Sequence, residues 1–172
     1  MTVSQTSPQE PRTTEPVPGG ARGARVFSIP PPAYYGAAFA AAMVLQRALP
    51  LDMPGRPTTA LVGAGVLIAG LGLDLAGVAT VLAHRTTIVP HRPVAKLITT
   101  GIYRISRNPM YTGLAIMVAG GALLAGTWWP LLTLPLALVA VRQLAIVPEE
   151  AYLVERYGSI YDGYRRSVRR WL

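Results

Sequence analysis

The sequence predicts an all-α integral membrane protein, with four transmembrane helices followed by helices that lie at the membrane interface. Hydrophobic residues make up 51% of the 172 residues and charged residues only 14%, compared with about 25% charged residues in typical soluble domains. No charged residue and no histidine occurs from Pro109 to Val141. Since about 20 apolar residues cross a bilayer, this stretch predicts a membrane hairpin.

Residues 1–32 are predicted to form a disordered tail. They contain seven prolines and few large apolar side chains, so they cannot bury enough surface to offset the entropy lost on ordering. A chain of this length usually forms one domain, and that domain is predicted over residues 33–172.

Four helices are predicted in the domain, over about 33–49, 59–83, 109–126 and 130–147. The first follows three prolines and is rich in alanine, and the second contains five glycines. Small residues of this kind let membrane helices approach closely. The third begins at Pro109, a residue suited to the first turn of a helix. Two tryptophans, which favour the membrane interface, mark the turn before the fourth.

Basic residues collect on one side of the predicted helices. The loop 84–108 and the segment after the fourth helix hold most of them, whereas the loop after the first helix has only Arg56. Because basic residues favour the cytoplasmic side, both termini and the loop 84–108 are predicted to be cytoplasmic. The net charge of +8 is then explained by this bias and by contact with anionic lipid, not by nucleic-acid binding.

Metal and disulfide chemistry is not predicted. The sequence has no cysteine, which excludes disulfides and thiolate metal sites. Its two histidines, His84 and His91, are flanked by arginines, a pattern more typical of an interfacial loop than of a metal centre.

Residues 148–172 are predicted to form a helical cap. Pro148 is suited to begin a helix and Gly158 to end it. In the second helix of the cap, aromatic and apolar residues recur every three or four positions, and arginines occupy the positions between them. A helix with an apolar stripe and a basic face is predicted to lie in the membrane interface.

Four charged residues in or beside the predicted spans are candidates for function. A carboxylate inside a membrane helix is costly, so Asp74 is predicted either to bind substrate or to make a buried, hydrogen-bonded contact between helices. Arg142 either extends to the interface or binds substrate. Glu149 and Glu150 directly follow the fourth span. They either stabilise the start of the next helix through its dipole or hold a cationic or hydroxyl-rich ligand.

The predicted hairpin places two of these segments at the same end of the helices. Residues 108–111 begin the third helix, and Glu149 and Glu150 follow the fourth, so cationic, aromatic and acidic groups meet at one depth. A ligand with a carboxylate, a cation, hydroxyls and a flat ring suits this set. S-adenosylmethionine has all four.

The sequence "LITTGIYRISRNPMYTG", followed about 35 residues later by "EEAYLVERYGSIYDGYRRSVRRWL", resembles the isoprenylcysteine carboxyl methyltransferase family and, more distantly, phospholipid N-methyltransferases. The resemblance covers residues 84–172. It implies a membrane-embedded methyltransferase that binds S-adenosylmethionine at the cytoplasmic end of a helical bundle, in bacteria at the inner membrane.

The resemblance also implies roles for particular residues. The cofactor pocket is implied to contain Tyr103, Arg107, Asn108, Pro109, Tyr111, Glu149, Glu150, Tyr161 and Arg165. Arg107 is the implied catalytic residue, which aligns the nucleophile or the cofactor carboxylate. Asn108 stands where the family commonly has histidine, so it can form hydrogen bonds but cannot transfer protons.

Three functions remain open on this basis. The first is methyl transfer to a lipophilic acceptor from the bilayer, such as a carboxylate of an isoprenoid-type or lipid substrate. Only Arg142 is basic just before the acidic pair, and it does not match the family's substrate-binding arginines, so prenylcysteine itself is in doubt. The second is methylation of a phospholipid amine, and the third is a small non-enzymatic transporter or assembly subunit. The sequence indicates no oligomeric state.

Overall fold

A computed structural model describes residues 29–84 and 97–172 of the protein, and every regular element in these two ranges is helical. The helices are α1 (Pro31–Ala48), α2 (Thr58–Ala83), α3 (Pro109–Ala125), α4 (Trp129–Val141), α5 (Val147–Tyr157) and α6 (Ser159–Ser167). A short 3₁₀ helix, Gly101–Arg104, precedes α3. The predicted all-α class is therefore confirmed over the described ranges. Most of the tail predicted for 1–32, and His91 with much of the loop 84–108, lie outside them.

Two stretches of helix in the described ranges are long and apolar enough to cross a membrane, Thr58–Ala83 and Trp129–Tyr157. Helix α3 is also apolar but has only 17 residues. The topology of four spans with both termini cytoplasmic stays a prediction.

Helices α2 and α3 pack closely because glycines from both sides meet at their interface. A side-chain carbon added at Gly70 would lie 2.8 Å from the backbone oxygen of Gly113. One added at Gly120 would lie 2.5 Å from the backbone nitrogen of Leu67, and Gly63 is equally crowded. The backbones therefore touch directly, as is usual where small residues line the contact between membrane helices.

We expect Gly70→Ala to lower the midpoint of thermal unfolding, whereas Gly72→Ala leaves it nearly unchanged. Position 70 has no room for a methyl group, whereas a carbon added at position 72 would meet no atom of the described residues within 4 Å beyond its own helix backbone. Overpacking of this kind costs about 1–3 kcal/mol. Both substitutions have the same chemistry, so equal melting curves of the detergent-purified variants would contradict this account of the packing.

The buried core lies where α1, α3 and α4 meet. Its buried residues are Tyr35, Val118, Ala137, Val141, Ala145 and Ile146. The Tyr35 hydroxyl donates a 3.0 Å hydrogen bond to the backbone oxygen of Tyr111. Helix α1 thereby fixes the first turn of α3, which is where the candidate site begins.

Polar contacts join the two short loops at the opposite end of the bundle. Thr127 Oγ1 donates to Gln46 Oε1 at 2.6 Å, and Gln46 Nε2 donates to Asp52 Oδ1 at 2.6 Å. Trp129, one of the two tryptophans predicted to mark the interface, donates from Nε1 to the backbone oxygen of Leu49 at 2.7 Å. These bonds hold α1 against the α3–α4 turn.

The fourth predicted helix continues into the predicted cap instead of ending near residue 147. A π-helical turn, Arg142–Ile146, connects α4 to α5, and the Val147 N–H bonds to the carbonyl of Arg142, five residues earlier. Pro148 has no N–H and would crowd the carbonyl four residues before it in a regular helix. A π turn with its extra residue accommodates that position. Glu149 and Glu150 are therefore carried on the same continuous helix as α4.

The second cap helix is shorter than its pattern suggests. Helix α6 ends at Ser167, and Val168 has an extended backbone. Its aromatic residues also face the protein: Tyr161 is 2% exposed, and Trp171, beyond the helix, packs against the core cluster. Part of the predicted aromatic stripe is therefore used for internal packing, and the placement of this helix in the membrane interface stays a prediction.

Candidate active site

Arg107 lies between the 3₁₀ helix and α3 and reaches the first turn of α5. Its Nη1 donates a 2.8 Å hydrogen bond to Glu150 Oε1, and the two side chains are only 10% and 11% exposed. The same nitrogen lies 3.5 Å from the Tyr161 hydroxyl. The Arg107 Nε is buried and has no hydrogen-bond partner among the described residues.

A second arginine shares the carboxylate of Glu150. Arg170 donates from Nε to Oε1 at 3.0 Å and from Nη2 to Oε2 at 2.6 Å, a bidentate pair of the strong, geometrically specific kind. The hydrogen bond to Glu150 raises the pKa of Arg170, so this group stays cationic.

The segment after α6, residues 168–172, lies along the chain just before α3. The Arg107 N–H donates to the carbonyl of Arg169 at 2.9 Å, and Ser106 and Arg169 pair as in a parallel bridge. The carbonyl of Arg170 accepts bonds from Ser106 Oγ and Asn108 Nδ2, each at 3.2 Å. The Asn108 side chain therefore anchors this segment in the structure.

Glu149 differs from its neighbour in both exposure and contacts. Its side chain is exposed, and Oε2 accepts a 3.3 Å hydrogen bond from the Tyr111 hydroxyl. Glu150 is buried and engaged by two arginines. The two acids thus have different roles in the structure: Glu150 binds protein cations, and Glu149 keeps acceptor capacity at the surface.

Tyr103 and Tyr164 lie beside these charges and form the tyrosine layer of the site. The Tyr164 hydroxyl donates to the backbone oxygen of Tyr103 at 2.6 Å, and the Tyr103 hydroxyl lies 3.6 Å from the sulfur of Met110. Burial raises the pKa of Tyr103 to about 12, and the charges of Glu149 and Asp74 act in the same direction. Tyr103 therefore remains a neutral hydroxyl near pH 7 and is not a proton acceptor.

The structure brings Tyr103, Arg107, Asn108, Pro109, Tyr111, Glu149, Glu150 and Tyr161 to one end of the bundle. Pro109 is the buried first residue of α3. Arg165 and Arg142 are not part of this group: Arg165 is 48% exposed and pairs with Asp162 at 3.2 Å, and Arg142 is exposed on the π turn.

Asp74 lies on α2, at the face that packs against Gly113. Its Oδ1 is buried and has no hydrogen-bond partner among the described residues. An unsatisfied buried oxygen is costly. Among the described residues, Asp74 therefore does not form the hydrogen-bonded contact between helices that was the alternative to substrate binding, and substrate binding by Asp74 stays a prediction.

Sequence reasoning missed Arg170 and Ser106. Arg170 is one of four arginines in the last eight residues, and neither spacing nor composition distinguishes it from the others.

A shallow cavity of about 450 Å³ lies next to the tyrosine layer and is lined by Thr99, Arg104, Tyr164, Ser167 and Val168. No group of three or more potential metal ligands occurs in ranges 29–84 and 97–172.

This geometry defines a class of protein: an apolar helical bundle with paired arginines, carboxylates and tyrosines gathered at one end. Residues 58–160 match the family model described as phospholipid methyltransferase. Because the match covers more than half of the chain, the chain belongs to the phospholipid methyltransferase family. The predicted methyltransferase class is confirmed at the level of the family, which counts against the transporter alternative.

Two curated proteins are similar to parts of the chain, and the first of them supports the resemblance seen in the motifs. Protein-S-isoprenylcysteine O-methyltransferase of Schizosaccharomyces pombe is 39% identical over 72 residues, which cover 42% of this chain and 30% of that protein. An uncharacterized protein of Haemophilus influenzae is 32% identical over 63 residues, 37% of this chain and 100% of that protein. The chain thus matches less than a third of the first relative's length. No solved structure matches the chain significantly.

Proposed function

We propose that this protein transfers a methyl group from S-adenosylmethionine to a lipophilic acceptor that enters from the bilayer. The observation that carries the proposal is that the site has both a cationic hydrogen-bond donor and a carboxylate available for a ligand. Among the described residues, the buried Nε–H of Arg107 has no hydrogen-bond partner, and Glu149 has an exposed carboxylate at the same end of the bundle. The activity is assigned to the bacterial inner membrane, with the site on the cytoplasmic side.

The donor and acceptor groups at the site fit this cofactor. S-adenosylmethionine has a carboxylate and cationic groups and, when bound, supplies a methyl group activated by its sulfonium. The Arg107 guanidinium would hold the carboxylate, since its Nε has no partner among the described residues. Glu149 would hold a cationic group, and Tyr164, whose half-buried ring lies 6.2 Å from that of the buried Tyr161, would supply aromatic surface.

A carboxylate of an isoprenoid-type or lipid substrate is the proposed acceptor. A carboxylate nucleophile needs no proton acceptor, so the protein only has to orient it and exclude water. Arg107 is the proposed catalytic residue because its cation can align the reacting group.

A phospholipid amine is the second candidate acceptor, and Asp74 is the observation that favours it. An amine must lose a proton during methylation, and the unpartnered Oδ1 of Asp74 is a candidate proton acceptor or headgroup contact. If the acceptor is an amine, Asp74→Asn should lower the rate of methyl transfer by about 100-fold or more. With a carboxylate acceptor, the rate should change by less than about threefold.

Binding of S-adenosylhomocysteine to the detergent-purified protein tests the cofactor assignment. We expect isothermal titration calorimetry to give a measurable Kd, and Glu149→Gln to raise it about tenfold or more, since a charged hydrogen bond contributes about 1.5–3 kcal/mol. Glu155→Gln is the matched control, because Glu155 is an exposed acid on the same helix. An absence of binding heat, or equal Kd values for both variants, would overturn the assignment.

The chemistry of the product distinguishes the two acceptors. Membranes containing the protein are incubated with methyl-labelled cofactor, and the extracted lipids are treated with alkali. A methyl ester releases labelled methanol, whereas an N-methyl group keeps its label. Mass spectrometry of the labelled lipid then identifies the acceptor.

A further inference from the structure

The cluster of Arg107, Glu150 and Arg170 carries two positive charges and one negative charge in a largely buried position. The side chains are 10%, 11% and 29% exposed, respectively. Arg170 engages both oxygens of Glu150, whereas Arg107 reaches only Oε1 through a single nitrogen. The shared carboxylate therefore does not neutralise Arg107 fully.

We infer that Arg170 is a positioning residue that keeps the donors of Arg107 free for the carboxylate of a bound ligand. By occupying Glu150 from the side of the 168–172 segment, Arg170 prevents Glu150 from forming a two-point ion pair with Arg107. This inference rests on the proposed function, because it names the carboxylate of the cofactor as the ligand group.

A two-point ion pair between Arg107 and Glu150 is within reach of these side chains. Arg107 Nη1 already lies 2.8 Å from Glu150 Oε1, and Oε2 has Arg170 as its only partner among the described residues. Without the Arg170 guanidinium, Oε2 of Glu150 becomes a free acceptor beside the guanidinium of Arg107. Carboxylates and guanidinium groups pair preferentially through two parallel bonds, so Glu150 would close on Arg107 and compete with the ligand.

The 168–172 segment is held by several contacts besides the Arg170 side chain. The segment is attached through backbone carbonyls, which accept bonds from the Arg107 N–H, Ser106 Oγ and Asn108 Nδ2. Trp171 adds apolar packing against the core cluster. A substitution that removes only the guanidinium should therefore leave the 168–172 segment bound.

The test combines one substitution with a rescue. Arg170→Met keeps an apolar side chain of similar length but removes the guanidinium group. We expect the Kd for S-adenosylhomocysteine to rise about tenfold. Arg166→Ala removes an exposed arginine of α6 and should leave the Kd within about twofold. Adding Glu150→Gln to Arg170→Met should lower the Kd again by about threefold or more, because a neutral amide does not pair with Arg107 in this way.

Hydrogen exchange of the Arg107 amide, followed by mass spectrometry, gives a readout that needs no ligand. This amide bonds to the Arg169 carbonyl, so its protection should persist in Arg170→Met. A rise in Kd with lost protection and no rescue would make Arg170 an anchor and overturn the inference. An unchanged Kd would also overturn it and leave the proposed function intact. Failure of the unsubstituted protein to bind S-adenosylhomocysteine would overturn both.

Discussion

Arg107→Ala should lower kcat/KM for methyl transfer by about 100-fold or more, the range seen when one preorganised donor is removed from an active site. The substitution removes a cation that reaches Glu150 from the α3 side, together with the Nε donor proposed for the cofactor carboxylate, which has no partner among the described residues. Lysine would restore the charge but not the planar fork, so Arg107→Lys should recover only part of the activity.

The measurement for Arg107 uses the labelled product together with S-adenosylhomocysteine binding. A loss in kcat/KM accompanied by a raised Kd assigns Arg107 to cofactor binding, and a loss at unchanged Kd assigns it to the acceptor. Arg47→Ala is the control, since Arg47 is an exposed arginine at the opposite end of the bundle. Equal kcat/KM values for Arg107→Ala and Arg47→Ala would remove Arg107 from the mechanism.

Glu150→Gln should cause the largest loss of stability of any single conservative change at the site. It leaves Arg107 and Arg170 facing a neutral amide, and breaking a buried ion pair from one side typically costs about 3–5 kcal/mol. For a chain of this size, that corresponds to a fall of roughly 10 °C in the midpoint of thermal unfolding. Glu149→Gln should change the midpoint by less than about 2 °C, since surface substitutions usually cost under about 0.5 kcal/mol.

The comparison of these two adjacent acids is a direct test of the ion-pair geometry. Both variants exchange a carboxylate for an amide of nearly equal volume on the same helix turn, so only the contacts differ. Thermal unfolding in detergent, followed by circular dichroism, supplies both midpoints. Equal midpoints would mean that the Arg107–Glu150–Arg170 cluster does not stabilise the fold. In the Arg170→Met background, Glu150→Gln should cost less, because only one cation is then left unpaired.

Much of the architecture could be predicted because it depends on local composition. The uncharged stretch from Pro109 to Val141, with Pro109 at its start, predicts α3 and α4, and the second helix was expected at 59–83 and is found as Thr58–Ala83. A short turn between α3 and α4 requires that the two ends of the hairpin return to the same level. The approach of the Arg107–Tyr111 segment to Glu149 and Glu150 follows from that geometry, before any side chain is placed.

The division of roles within this cluster depends on packing that no local pattern contains. The π turn at Arg142–Ile146 sets the rotation of α5 relative to α4, and that rotation directs Glu150 inward and leaves Glu149 exposed. Arg170 reaches Glu150 only because α6 ends at Ser167 and the following residues run back along Ser106. Composition and spacing therefore determined which helices form and which ends meet. The folded chain decided which acid is neutralised and which arginines neutralise it, since these depend on side-chain contacts between residues 20 and 43 positions apart.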